Sequence, residues 1–362
     1  MNEFASFEEI IARFCRGETR LSRFDLYSLS GASRSEVALF AQAWPGLPVE
    51  DRRCIMRTLV ESAEANFELD FNDLYVQVLD DPDDEVRLLS VEGLWEDENP
   101  ALAARLARMM RDDLSDEVRA AAAISLGRYT LLAELGELDE RLVKLVAKAL
   151  LAAVNDPEEL VDVRCRAVEA IAYLDLEQMR GIIDRAYNEG NLRMQASAVF
   201  AMGRSGDGYW ANTVLQELES AEPEMRFEAA HAAGELQLAP AVPTLIQYLG
   251  ESDRELQEMA IWALGQIGGE RAKQALGAIV SGRDEALADA AEEALGELLL
   301  GSSPLVMFDF DADEGPEYDL EEDDLEDQDE DLEDGTDWAF LDLDDDEDDE
   351  DDLDDEEGDS DK

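Results

Sequence analysis

A ten-residue phrase recurs at a fixed interval in the second half of the chain, and it constrains the fold more than any other feature. The four copies begin at Met194, Met225, Leu256 and Leu287, and their final glycines lie 31 residues apart. Self-similarity at such a period indicates pairs of helices stacked into a solenoid, because one pair alone cannot bury its apolar face. The sequence therefore predicts an all-α fold built as an α–α superhelix.

An arginine-centred motif extends the repeat toward the N-terminus. Acidic residues followed by a branched apolar residue and arginine recur along the chain. The arginine position is occupied by Arg87, Arg119, Arg164, Gln195, Arg226, Gln257 and Ala288. Its successive spacings are 32, 45 and then 31 residues. The long interval predicts an insertion around 129–140, followed by a long helix over about 139–154.

Small side chains occupy two further positions of the repeat. Three residues after the arginine position stand Ala122, Ala167, Ala198, Ala229, Ala260 and Ala291, and six after it Ser125, Ala170, Ala201, Ala232, Ala263 and Ala294. Residues three apart share a helix face. Small side chains there let adjacent helices approach to the low end of about 8–10 Å. We interpret the glycine that closes each phrase as a helix end or tight turn.

The motif over 81–87, Asp-Pro-Asp-Asp-Glu-Val-Arg, and the later Ala-Leu-Gly ending at a period near 31 resemble HEAT repeats of the phycobilin-lyase type. The resemblance covers about residues 49–300. It implies a HEAT-repeat solenoid of antiparallel helix pairs whose second helices line the concave side. It does not imply one activity, since the family includes chromophore lyases, deoxyhypusine hydroxylase, DNA glycosylases and scaffolds.

Three regions are expected along the chain. Residues 1–47 form an N-terminal helical cap, with helices over 6–16 and 33–43, because a solenoid needs an end piece over its first apolar face. Ser33 and Glu36 have the spacing of a capping box. Residues 48–301 form the solenoid, and residues 302–362 form an acidic tail.

Charge sets the tail apart and indicates the kind of partner. The chain has 91 acidic and 29 basic residues, for a net charge of −62, and 34 of the acidic residues lie in 305–362. Dense like charge with few apolar residues does not collapse, so the tail is predicted to be mostly disordered. Such a surface repels nucleic acid and anionic membranes and attracts basic proteins. We therefore expect a protein partner with a basic surface.

Cellular location and chemistry follow from absences in the sequence. Three scattered cysteines without ligand spacing predict reduced thiols and a cytoplasmic protein. No apolar run is long enough to span a membrane. The hydroxylases of the resembled family need several His-Glu pairs, whereas His231 is the only histidine. No phosphate loop, nucleophile elbow or metal cluster is present. We expect no catalytic residue, cofactor or metal, and a non-enzymatic role is favoured over an enzymatic one.

Two positions of the repeat do not fit a packing role alone. The fifth residue after the arginine position is Phe200, His231 and Trp262 in consecutive repeats, and the ninth is Tyr173, Arg204, Glu235 and Gln266. These positions are neighbours on one helix face. Stacking predicts a row of rings on the concave wall, about one helix spacing apart. Aromatic side chains beside polar ones commonly anchor protein interfaces; the alternative is that the rings fill gaps between repeats.

The tail carries a short aromatic patch over 338–343. Its acidic field would steer a basic surface, and Trp338 and Phe340 would then anchor it; the alternative is that the tail only keeps the protein soluble. We therefore predict a protein-binding scaffold that uses the concave face and the tail. The alternative function is a lyase- or chaperone-like assembly factor for a cofactor-bearing client. The sequence does not determine the oligomeric state.

Overall fold

A computed structural model describes residues 5–302 of the chain, with side chains as far as residue 299. Within these residues the chain forms 18 α-helices and three short 3-10 turns, with no β-strand. The all-α fold class is confirmed. The acidic tail, including Trp338 and Phe340, lies outside the described residues.

Three helices precede the repeats: α1 (Phe7–Phe14), α2 (Arg23–Leu29) and α3 (Arg34–Ala43). Each begins with a capping box, in which a serine hydroxyl accepts from the backbone N–H three residues on and the acidic side chain there accepts from the serine N–H. The boxes start at Ser6, Ser22 and Ser33. Helix α2 was not predicted, because seven residues are too few to show a helical period.

The remaining helices alternate between two layers. The inner layer contains α4 (Val49–Ala65), α6 (Asp84–Gly93), α8 (Asp116–Glu134), α10 (Val161–Ile171), α12 (Leu192–Arg204), α14 (Pro223–Glu235), α16 (Arg254–Ile267) and α18 (Glu285–Ser302). The outer layer contains α5 (Asn72–Val78), α7 (Pro100–Asp112), α9 (Glu140–Asn155), α11 (Met179–Asn188), α13 (Ala211–Glu217), α15 (Val242–Tyr248) and α17 (Glu270–Val280). The long helix predicted over 139–154 is α9.

Packing is closer in the inner layer than in the outer one. Each inner helix packs against the next along the whole series from α4 to α18. Among the outer helices of the described chain, α7 and α9 pack comparably, whereas α15 and α17 touch only slightly. Buried alanines such as Ala198, Ala229 and Ala260 lie between the inner helices and allow this approach. Because its helices pack more closely, we assign the inner layer to the concave wall.

The glycine that closes each phrase has a different role from the predicted one. Gly203 lies within α12, and a Cβ atom there would lie 2.7 Å from Cα of Ala232 on the next inner helix. The interpretation as a helix end is therefore wrong: the glycine allows two helix backbones to touch. The chain turns three residues later, where Gly206, Gln237 and Gly268 have φ of 62°, 50° and 70°. Gln237 bears the strain of a left-handed conformation that glycine adopts freely.

The arginine position ties consecutive repeats together. Arg87 donates to both carboxylate oxygens of Asp113, at 2.8 and 2.6 Å, and to the carbonyl of Asp81 at 2.8 Å. Arg119 bonds in the same way to the Glu159 carboxylate and the Asp113 carbonyl. Each arginine therefore holds the loop of its own repeat and the loop of the next.

Candidate functional site

Three rings on α12, α14 and α16 stack face to face along the concave wall. The ring centroids of Phe200 and His231 are 5.2 Å apart with an interplanar angle of 15°, and those of His231 and Trp262 are 5.1 Å apart at 25°. The rings are thus closer than the helix spacing predicted from the sequence. His231 is only 8% exposed, while Phe200 and Trp262 are half-buried. The two outer rings therefore present the accessible aromatic surface.

Gly234 sets the position of the Trp262 indole. A Cβ atom on this glycine would lie 2.6 Å from Cζ3 of Trp262 and 3.0 Å from Cα of Ala263. The indole thus occupies space that any other residue at position 234 would fill. The glycine that closes this ten-residue phrase therefore makes room for the Trp262 ring as well as for the next helix.

Arg204 is held by two rings and a carboxylate. Its guanidinium carbon lies 5.3 Å from the ring centroid of Tyr173 and 5.2 Å from that of Phe200, within the range of cation–π attraction. Its Nη1 lies 2.7 Å from Oε1 of Glu235. The wall therefore already binds one guanidinium, which belongs to the chain itself.

Glu235 joins the ring row to the arginine. Its Oε1 lies 3.4 Å from Nε2 of His231 and 2.7 Å from Nη1 of Arg204. The hydrogen bond from His231 lowers the pKa of Glu235 most, and the charge of Arg204 lowers it further against the effect of burial. In the next repeats, Gln266 donates from Nε2 to Oε2 of Glu297 at 3.0 Å. All seven predicted residues of the solenoid thus lie along one wall.

Sequence reasoning missed a third row, two residues after the arginine position. In this row the Ser197 hydroxyl donates to Oε1 of Glu169 and Arg166 donates to Oε2, both at 2.6 Å. Glu228 lies in the same row, is half-buried, and has no cation within ion-pair distance among the described residues. The spacing of three residues to the ring position could have revealed this row.

The Glu228 carboxyl is unusually weak as an acid. Burial raises its pKa most, and repulsion from Glu169 and Glu224 raises it further, to about 7, against the attraction of Arg166 and Arg204. At neutral pH the wall therefore contains a partly protonated carboxyl beside the aromatic row.

Glu228→Gln is expected to stabilise the protein at high pH. Because the pKa of Glu228 is higher in the folded than in the unfolded chain, wild-type stability falls as the pH rises from about 4.5 to about 7. The variant has no charge to bury, so its advantage should reach about 1–2 kcal/mol at pH 8, reduced by solvent screening, and vanish at pH 4. Urea unfolding across this range measures the difference. The same exchange at Glu219, which is exposed in the loop after α13, is the control. An equal rise there would contradict the assignment.

Neither a metal-ligand group nor a membrane-spanning helix is found in the described part of the chain. Residues 5–302 contain no group of three or more His, Cys, Asp or Glu side chains placed to hold a metal ion. No helix within the same residues combines the length and the apolar character needed to cross a membrane. Cys15 and Cys54 are exposed free thiols and Cys165 is buried. The wall is the candidate site because it brings stacked rings and carboxylates together.

A family model for HEAT repeats matches residues 72–149 and 211–296. The chain contains HEAT repeats. The first match runs from α5 into α9 and the second from α13 to α18, so it includes the His231 and Trp262 repeats. The stretch between the matches contains α12, which packs against α10 and α14 and so continues the same stack of helices. No curated protein matches the sequence.

Solved structures that match this chain share little sequence with it. An engineered protein is 18% identical, with 55% of this chain and 97% of that chain covered and a TM-score of 0.37. Human deoxyhypusine hydroxylase is 19% identical, with 74% and 96% covered and a TM-score of 0.32. Importin beta is 14% identical, with 80% of this chain but only 44% of that chain covered and a TM-score of 0.42. Likenesses at this level indicate neither partner nor activity.

Proposed function

We propose that this HEAT solenoid is a non-enzymatic protein-binding scaffold whose concave wall contacts the partner. The observation that carries the proposal is the row of stacked rings. Buried His231 holds Phe200 and Trp262 in place from between them, while both outer rings stay half-exposed. Aromatic side chains that are fixed before binding lose little conformational freedom on contact, and such residues dominate interface energies.

Charge supports a basic partner rather than nucleic acid or a membrane. Carboxylates flank the rings on both sides, with Glu169 before Phe200 and Glu293 after Trp262 in the same row. The chain as a whole has a net charge of −62, which speeds encounter with a positive surface. In this proposal the acidic tail makes a second contact through Trp338 and Phe340. The proposal includes a cytoplasmic location, which the free thiols support because they suit a reducing compartment.

The test begins by identifying the partner with affinity purification and mass spectrometry, using the full chain and a version that lacks 305–362. Binding of the purified partner is then measured by calorimetry. Phe200→Ser and Trp262→Ser are each expected to weaken binding at least tenfold, or about 1.4 kcal/mol, because a solvent-accessible aromatic anchor is lost. Raising the salt concentration and deleting the tail should each weaken it further.

The matched control is Phe67→Ser, which removes an aromatic ring that is 80% exposed in the loop after α4, away from the wall. This variant should bind as the wild type does. Circular dichroism separates a binding defect from unfolding. Wild-type affinity in both wall variants would refute the proposed site. A stability loss of several kcal/mol that accounts for the lost binding would show that the rings serve packing alone.

The alternative function stays a prediction. The match to HEAT repeats does not distinguish the phycobilin-lyase type from other HEAT repeats. An assembly factor for a cofactor-bearing client would carry a coloured ligand or client through purification. An absorbance spectrum of the purified protein above the protein band tests this directly.

A further inference from the structure

The concave wall repeats its own arrangement after two HEAT units. Positions 62 residues apart are equivalent because two periods of 31 separate them. Phe200 thus corresponds to Trp262, Arg204 to Gln266, and Glu235 to Glu297. Each triplet consists of an aromatic ring, a polar side chain one turn later on the same helix, and a glutamate on the next inner helix.

The first triplet shows how this wall holds a guanidinium. Arg204 lies over the Phe200 ring, with 5.2 Å from its guanidinium carbon to the ring centroid, and pairs with the Glu235 carboxylate at 2.7 Å. The combination gives a planar cation both an aromatic face and a carboxylate.

The second triplet, Trp262, Gln266 and Glu297, has the same ring and carboxylate but no arginine between them. Gln266 takes the place of the arginine and donates to Oε2 of Glu297 at 3.0 Å, so a neutral amide faces the carboxylate. The ring is the larger Trp262, which binds cations best among aromatic side chains. Glu293 and Glu297 are both exposed, and neither forms an ion pair among the described residues. Negative charge here is uncompensated.

We propose that Trp262 and Glu297 bind an arginine side chain from a basic segment of the partner. This rests on the proposed function and names the chemistry that the wall recognises. The guanidinium stacks on the indole and donates to the Glu297 carboxylate in place of the Gln266 amide, with Glu293 adding attraction. Arginine is favoured over lysine because its planar fork both stacks and forms paired hydrogen bonds, whereas an ammonium group does neither.

The test uses two nonapeptides of equal charge as probes, one with three Gly-Arg-Ser units and one with three Gly-Lys-Ser units. The full chain should bind the arginine peptide at least threefold more tightly. The indole N–H resonance of Trp262, assigned by its loss in Trp262→Phe, should shift with the arginine peptide. Glu297→Gln should weaken arginine-peptide binding at least fivefold.

Gln266→Arg tests the site most directly. The new arginine would occupy the place between Trp262 and Glu297, as Arg204 does between Phe200 and Glu235. It should remove the preference for the arginine peptide. Glu158→Gln, an equal change of charge in the loop between α9 and α10, should leave the preference intact. Equal binding of both peptides by the wild type, or an unchanged preference in both Gln266→Arg and Glu297→Gln, would overturn the inference.

The purified partner separates this inference from the proposed function. If Phe200→Ser abolishes partner binding while Gln266→Arg and Glu297→Gln do not, the wall is an interface but the arginine site is wrong. If none of these variants affects partner binding, both fail. If all three weaken it and the arginine preference is present, both hold.

Discussion

Replacing Asp81 with asparagine is expected to lower the free energy of unfolding by about 3–5 kcal/mol. Asp81 is 5% exposed, and its Oδ2 accepts from Nε1 of Trp44 at 2.7 Å and from Nη1 of Arg52 at 2.6 Å. Its Oδ1 accepts from the backbone N–H of Asp83 at 2.9 Å. Asparagine removes the negative charge and leaves the buried Arg52 guanidinium unpaired, which is more costly than losing an exposed ion pair.

The loss should begin at the N-terminal end of the solenoid. Trp44 follows α3, Arg52 belongs to α4, and Asp81 lies between α5 and α6, so the three side chains join the helices before the repeats to the first repeat. Solenoid repeats contact mainly their neighbours, so a local defect need not spread. Amide exchange in the variant should therefore accelerate first over 44–94 and last around α14 and α16.

Asp80→Asn is the matched control for this prediction. Asp80 carries the same side chain one residue earlier and pairs with Arg105 at 2.6 Å, but its side chain is 84% exposed. An exposed pair of this kind contributes less than about 1 kcal/mol. Urea unfolding followed by circular dichroism measures both variants. Losses of equal size would show that the buried pair does not hold the end of the solenoid.

Gly203→Ala is expected to destabilise the protein by about 1–3 kcal/mol, although alanine is the better helix former. The added methyl group would lie 2.7 Å from Cα and 3.0 Å from Cβ of Ala232. The first of these atoms is backbone, so relief requires α12 and α14 to move apart. That movement would also separate Phe200 from His231, whose rings are stacked across the same pair of helices. Thermal unfolding and urea unfolding both measure the loss.

Gly296→Ala changes the equivalent glycine of the last repeat, and here we expect a gain in stability instead of a loss. Gly296 lies within α18, and a Cβ atom there meets no heavy atom within 4 Å. The variant should therefore gain up to about 1 kcal/mol from helix propensity. If Gly203→Ala and Gly296→Ala destabilise the protein equally, glycine is needed for its backbone conformation and not for the close approach of the next helix.

Local features of the fold could be predicted from the sequence because they depend on residues a few positions apart. The Ser33 capping box is present as predicted, and the helix predicted over 139–154 is Glu140–Asn155. The period of 31 gave the stack itself, since equivalent residues of a solenoid must meet. The phrase glycine was misinterpreted because helix ends and close helix contacts both favour glycine, and only the neighbouring helix distinguishes them.

The sequence by itself determined that helices stack at a period of 31 and which positions form one wall, because periodicity follows from local helix geometry. Only the tertiary structure decided what each wall residue does. It buried His231 between two rings and paired Arg204 with Glu235. It left Glu228 without an ion-pair partner among the described residues, and it placed neutral Gln266 where an arginine stands two repeats earlier. These outcomes depend on side chains about 31 residues apart meeting across helices, where packing and charge act through space rather than along the chain.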